Sequence, residues 1–429
     1  MYAVLIVLQI DERRTTLQYT CFFDESFHDR KIVVNQSGEI NTIKNDGIDN
    51  YIGVFWGCKT FNLSENIGRI FEFESKYKKM LGLSDSKELK TTTFARKFYR
   101  YGVKSFSQII FDFYNDFIVL LDQIAPIIQI NSISKVEMFL RRIFHNNIQF
   151  SPNFEVNQNV FYYTITKFIL TYQNKDMLQA LYNASSREGI EKLRETLICH
   201  LRTIRRVTKE IERKELERRA YQQLIQVLRT FSLKPIETKV DFSYVPNFEG
   251  LCNLLEEMHI SPSSTNLILD KEDHTYSTAL AYNFRSISQG ASDQIIGIRV
   301  SDWLSGLIGR FIYAMRHDKS NMEDQIISIN DLQYNDLSSK RLLSPEWFDL
   351  SEIQYQFYCK MYQTLIVRHQ KYWTVLSLSY NEAILFFAFI RYISYYPTYE
   401  EYQKVPLHLH PEYYNFKVCK ELEDYYQQL

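Results

Sequence analysis

The chain has 429 residues and a formal net charge of −1, so a nucleic-acid partner must be met by a local basic patch and not by a global positive field. Hydrophobic residues make up 45% and charged residues 24%, and 13 Gly and 9 Pro against 31 Tyr and 30 Phe favour long helices and a filled core over disorder. The six cysteines are far apart with no CxxC pair, which argues against a zinc knuckle and a compact disulfide scaffold.

The opening run "MYAVLIVLQIDERR" is too short to span a bilayer and reads as a strand or a core-packing segment. From about 15 to 100, "LQYTCFFDES" and "YIGVFWGCKT" read as strands, with "QSGE" and "NDG" as turns between them. "IGRIFEFESKYKKML" follows as a helix with an apolar face. From about 105 to 232 the pattern reads as helical nearly throughout. Its segment 187–231 is either one long helix or a helical hairpin. Strand signals return in "IETKVDFSY" and "TNLILD", with the helix "FEGLCNLLEEMH" between them and "SDQIIGIRVSDWLSGLIGRFIYAMRH" after. The rest is mostly helical and Tyr-rich. "AILFFAFIRYISYY" is a buried helix in this reading, because its apolar run ends at Arg391. No membrane contact and a cytoplasmic location are therefore expected.

Four places put carboxylates where a sheet edge would present them. Asp24 and Glu25 end "YTCFF", Asp270 ends "NLIL", Asp302 sits in a helix among the small residues Ser301, Ser305 and Gly306, and Glu88 lies in "SKELK" with Lys90 two residues on. Strand ends form the ligand crevice of an α/β sheet. Two strands ending in Asp could share one cation, completed by an Asp on a helix packed across that edge. Mg²⁺ or Mn²⁺ prefers such hard oxygen ligands. Two ions about 4 Å apart can stabilise both oxygens of a phosphodiester displacement. The competing structural reading makes each Asp a turn former or cap and Glu88–Lys90 a surface pair.

The ordered set "FFDES", "KELK", "LILD" and "GIRVSDWLSG" resembles the motif series of the domain of unknown function 3800 family. The resemblance covers roughly residues 17–100 and 235–315. It departs at Arg299, where a Gln is usual, at Ser301, where an Ala is usual, and at Ser26, which no Gly follows. It implies a ribonuclease-H-like fold and metal-dependent nuclease activity on RNA or DNA with one or two Mg²⁺ or Mn²⁺ ions. A role in bacterial anti-phage defence, with a defence-system protein as partner, is a further implication. By position, Asp24, Glu88, Asp270 and Asp302 are the implied metal ligands and catalytic acids, with Lys90 and Glu25 as helpers.

The expected architecture is an α/β ribonuclease-H-like mixed sheet, formed by residues 1–104 and 233–318. A large helical insertion at 105–232 and a helical C-terminal region at 319–429 complete it. The alternative function is a catalytically inactive nucleic-acid- or protein-binding module on the same fold. Within the insertion, Arg202, Arg205, Arg206 and Lys209 open a stretch of eight basic residues at 202–219 and are candidate phosphate contacts. The other reading of that stretch is a solvated helix laced with i,i+4 pairs. His28 and His274, each four residues beyond a candidate Asp, either reach the site or sit on surface loops. His408 and His410, between prolines, read as structural.

Overall fold

A computed structural model describes residues 18–26, 50–144, 157–172, 174–184, 186–230, 244–319, 342–368, 374–375 and 379–427. The opening apolar run, the "QSGE" and "NDG" turns, most of "IETKVDFSY" and His28 lie outside them. The frame is a six-stranded mixed sheet. It contains β1 (Tyr19–Ser26), β2 (Asn50–Lys59), β4 (Ile127–Ser134), β5 (Thr265–Asp270), β6 (Ser286–Gly290) and β7 (Thr374–Val375), in the order β6-β5-β1-β2-β4-β7. Strand β3 (Arg100–Val103) stands apart from it. β1 and β4 run antiparallel to β2, β5 runs parallel to β1, and β6 parallel to β5.

The strand period of two sends alternate side chains into two different cores. On one face, Phe22, Ile52, Val54 and Trp56 pack under α10 (Ile296–Lys319), together with α1 (Leu63–Met80) and α2 (Gln108–Ile124). The C-terminal helices α11 (Glu352–Met361), α12 (Ser379–Ser394) and α14 (His410–Gln427) share that core, so the end of the chain is continuous with the sheet layer. The short α13 (Tyr399–Gln403) lies between the last two. On the other face, Cys21, Phe23, Tyr51 and Phe55 pack under α8 (Val245–Glu257). The short α9 (Asp273–Ala279) follows β5.

A third, separate core joins α3 (Lys135–Phe144), α4 (Gln158–Thr171), α5 (Lys175–Tyr182), α6 (Arg187–Val207) and α7 (Glu215–Arg229). Of the two readings of segment 187–231, the hairpin is the one formed, broken between Val207 and Glu215.

The helical reading of 105–232 needs one correction. Ile127–Ser134 is a central strand of the sheet, buried along its whole length, and it pairs with β2 from Ile127 to Ser134. The all-helical cluster begins only at Lys135. The expected helix at 383–396 is formed as far as Ser394, with Phe386, Phe389, Ile390 and Ile393 buried and Tyr395 exposed beyond its end, and no helix among the described residues is long and apolar enough to cross a membrane. All six cysteines are unpaired; Cys21 and Cys58 are buried, while Cys199 and Cys419 are exposed.

Candidate functional site

The site is assembled where β1 and β5 end beneath α10. The β1–β5 register pairs Phe23 with Leu269, which sets Asp24 beside Asp270 at the next step of the ladder. Both belong to the α10 face. Two residues back, Phe22 packs into the α10 core and Ile268 against it. Two residues on from Asp24, the Ser26 hydroxyl meets the Ser305 hydroxyl of α10 at 2.9 Å.

Small residues on α10 set how closely it approaches. A Cβ on Gly297 would stand 2.4 Å from the Phe22 ring, and one on Gly306 would stand 2.4 Å from the Thr91 side chain. Ser301 is fully buried and donates to the Phe22 carbonyl at 3.4 Å. This contact carries Asp302, one residue on, to the edge where Asp24 lies.

Each of the three aspartates is pinned through one oxygen. Asp24 Oδ1 accepts from the Glu25 N–H at 2.8 Å, Asp270 Oδ1 from the Lys271 N–H at 2.8 Å, and Asp302 Oδ2 from the Thr91 N–H at 2.8 Å and the Thr91 hydroxyl at 2.9 Å. The second oxygen of each accepts no hydrogen bond from the described residues.

Charge crowding is felt in the acidities. Burial pushes Asp24 well above the ordinary carboxylate range, and the charges of Asp302, Glu25 and Asp270 push it further. Burial also raises Asp302, held back by the two Thr91 hydrogen bonds and by the Lys90 and Arg310 cations. Burial alone would lower Lys90, but its contact with Glu88 and the charges of Asp302 and Asp24 raise it instead.

Glu88 is one step removed. Its Oε1 lies 2.7 Å from Lys90 Nζ and its Oε2 accepts from the Ser292 hydroxyl at 2.9 Å, so both oxygens are engaged. Glu88 orients Lys90, and Lys90 faces the aspartates. Glu25 takes the other side of the sheet, as the strand alternation dictates. It accepts from the hydroxyls of Tyr244 at 3.1 Å and Tyr51 at 3.4 Å, and burial pushes it up to about 8. It therefore belongs to a different pocket from Asp24. His274 is exposed and makes no contact with the carboxylates. His408 is exposed, whereas His410 is buried, 2.7 Å from the Tyr392 hydroxyl and stacked on Tyr402.

Several supports carry no motif of their own. The 88–91 segment is clamped to α10 by Thr91 and by Trp303 Nε1, which donates to the Leu89 carbonyl at 2.6 Å. Beneath it, Arg299 pairs with Glu74 at 2.8 Å in the core and donates to the Ser292 carbonyl, while Glu74 accepts from the Leu89 N–H at 3.2 Å. The arginine at the position where the resembled family has Gln thus ties both sides of the Glu88–Lys90 segment together. An adjacent turn position, Thr91 after "KELK", was the available signal for the first clamp. The Glu74–Arg299 pair joins residues 225 apart and left none.

Of the basic candidates, Arg202 and Arg206 are exposed on α6. Arg205 turns partly inward with a buried, unpartnered Nε, and Lys209 lies past the helix end, 3.8 Å from Glu210.

Among the described residues no three His, Cys, Asp or Glu side chains form a ready-made cage for an ion. The chemistry of the donor set nevertheless fits a hard divalent cation, with three carboxylates on one rim, each held by one oxygen and open at the other. Neither family models nor curated proteins nor solved structures give a match to this chain. The motif resemblance accordingly rests on the quoted residues.

Proposed function

We propose that the chain is a metal-dependent nuclease, with Asp24, Asp270 and Asp302 as the carboxylates that hold Mg²⁺ or Mn²⁺. The observation that carries the reading is the juxtaposition of these three groups on one face of the sheet, each pinned and each with one open oxygen. The mixed sheet, with an antiparallel β1-β2-β4 unit continued by parallel β5 and β6, supports a ribonuclease-H-like frame.

A bound divalent cation would supply Lewis-acid stabilisation of the phosphoryl oxygens and lower the pKa of an attacking water. The chain's own contribution is positional. β1 and β5 present Asp24 and Asp270, α10 brings Asp302 down onto them, and Thr91 fixes the Asp302 rotamer. Lys90, held by Glu88, offsets negative charge on the scissile phosphate. Gathering these acids without a cation is unfavourable: Asp24 is driven toward its protonated form by burial and then by the charges of Asp302, Glu25 and Asp270.

Cleavage of labelled RNA and DNA, measured with Mg²⁺ or Mn²⁺ and again with chelator, tests the reading. Wild-type cleavage that requires the ion and disappears in Asp24→Asn and Asp302→Asn supports it. Full cleavage by either variant contradicts the assignment, and a wild type inert on both nucleic acids with both ions leaves the binding-module alternative.

A further inference from the structure

We infer that the hairpin of α6 and α7 carries a docking groove for the phosphate backbone of a nucleic-acid strand. The choice of occupant rests on the nuclease reading; the groove rests on its own geometry. It is an open cavity of about 750 Å³ lined by Arg194, Arg202 and Arg206 of α6 and by Arg229 at the end of α7. Glu195 is the single acidic residue in the lining among the described residues.

Three of the four cations here have no carboxylate partner among the described residues. Arg202, Arg206 and Arg229 form no ion pair with any described residue, and Arg194 touches Glu191 at 3.3 Å. Elsewhere on the hairpin, three cations are matched by carboxylates: Lys214 with Glu217 at 2.5 Å, Arg219 with Glu215, and Lys209 with Glu210. A chain with net charge −1 thus concentrates four guanidinium groups against one carboxylate in a single concavity.

The helix is built for this. Ile190, Leu193, Leu197, Leu201 and Ile204 form its buried stripe, which turns the arginine stripe outward.

The spacing selects a polymer over a small phosphate. Arg194 to Arg206 spans twelve residues, about 18 Å of helix. One strand of a nucleic acid carries a charge every ~3.4 Å of its axis, so the groove tracks several phosphates. Among the described residues that line it, none is aromatic. Base stacking is therefore not available there, and binding should be nearly independent of sequence. Two of the four basic residues picked from sequence belong to this groove; Arg205 and Lys209 give way to Arg194 and Arg229.

The experiment is a salt titration of binding to a fluorescein-labelled single-stranded oligonucleotide in chelator, so that no cleavage intervenes. It is run on wild type, on Asp24→Asn, and on the triple variant Arg202→Gln/Arg206→Gln/Arg229→Gln. Asp24→Asn removes no arginine of the groove and should keep the wild-type slope of log affinity on log salt, which separates the groove from the carboxylate site. The triple variant should bind about tenfold or more weakly. Its slope of log affinity on log salt should be shallower by about 0.7 for each phosphate no longer neutralised, about 2 in all. The matching triple Lys variant should restore the slope, which a merely structural role would not do. Arg229→Gln alone, at an exposed helix end, should lower it by about 0.7 even if the triple variant folds poorly. An unchanged slope, no measurable wild-type binding, or displacement of the strand by equimolar inorganic pyrophosphate would each overturn the inference.

Discussion

Replacing Asp24 by Asn removes one charge from the crowded rim while keeping an oxygen to accept the Glu25 N–H. Asp24 and Asp270 stand at neighbouring positions on parallel strands, which lie about 4.8 Å apart. Two unit charges at that distance repel by about 3 kcal/mol at an effective dielectric of 20 and by just under 1 kcal/mol in water. Asp302 adds repulsion from above. Neutralising Asp24 should therefore stabilise the metal-free protein by about 1–3 kcal/mol. Unfolding entropy of about 2.1 cal/mol/K per residue gives about 0.9 kcal/mol/K for 429 residues, so Tm should rise by about 1–3 °C in chelator. Saturating Mn²⁺ should stabilise wild type by about 2.7 kcal/mol at a hundredfold excess over Kd, and the variant by far less. Thermal melts of both proteins, with chelator and with the ion, read all four values. A variant that melts lower than wild type in chelator, or that gains as much from Mn²⁺, refutes this account of Asp24.

Three other substitutions probe the supports. Glu25 is raised from 4.5 to about 8, so its contribution to stability is full below about 4.5 and is lost as pH rises through about 8; Glu25→Gln should flatten the Tm profile across that window and raise Tm at its alkaline end, and an unchanged profile would refute the assignment. Gly306→Ala would drive a methyl into Thr91 and should cost about 1–3 kcal/mol in urea unfolding, with loss of cleavage as the Asp302 clamp is displaced. Removing the Thr91 side chain in the same protein should return stability but not activity. Arg299→Met strands Glu74 in the core and should cost about 3 kcal/mol, softened by Lys78 at 3.7 Å, while adding Glu74→Gln should recover most of it.

The elements that frame the site were legible because local signals agreed. β1 is a short β-rich run with Asp24 near its end, β5 ends in Asp270, and α10 carries an apolar stripe interrupted by small residues. β4 was read as helix for physical reasons. Its alternation lasts only from Ile128 to Asn131 and is broken by the polar pair Asn131–Ser132, too short a run to stand out between two helical stretches, and its polar residues Gln129, Asn131, Ser132 and Ser134 are all buried. The preceding helix ends on Ala125 in the left-handed conformation (φ 48°), where a Gly would have marked the stop, and only Pro126 signalled it. Within the site, the aspartates could be picked out singly, but their convergence depends on the β1–β5 register and on the Gly297 and Gly306 contacts. The separation of Asp24 from Glu25 was available from the strand period alone. The engagement of both Glu88 oxygens was not, since Ser292 lies 204 residues away.

The most direct measurement is anomalous diffraction from crystals grown with Mn²⁺. The account predicts a peak within coordination distance of the open oxygens of Asp24, Asp270 and Asp302, lost in crystals of Asp24→Asn. No peak at that rim in wild-type crystals, or an undiminished one there in the variant, would contradict it.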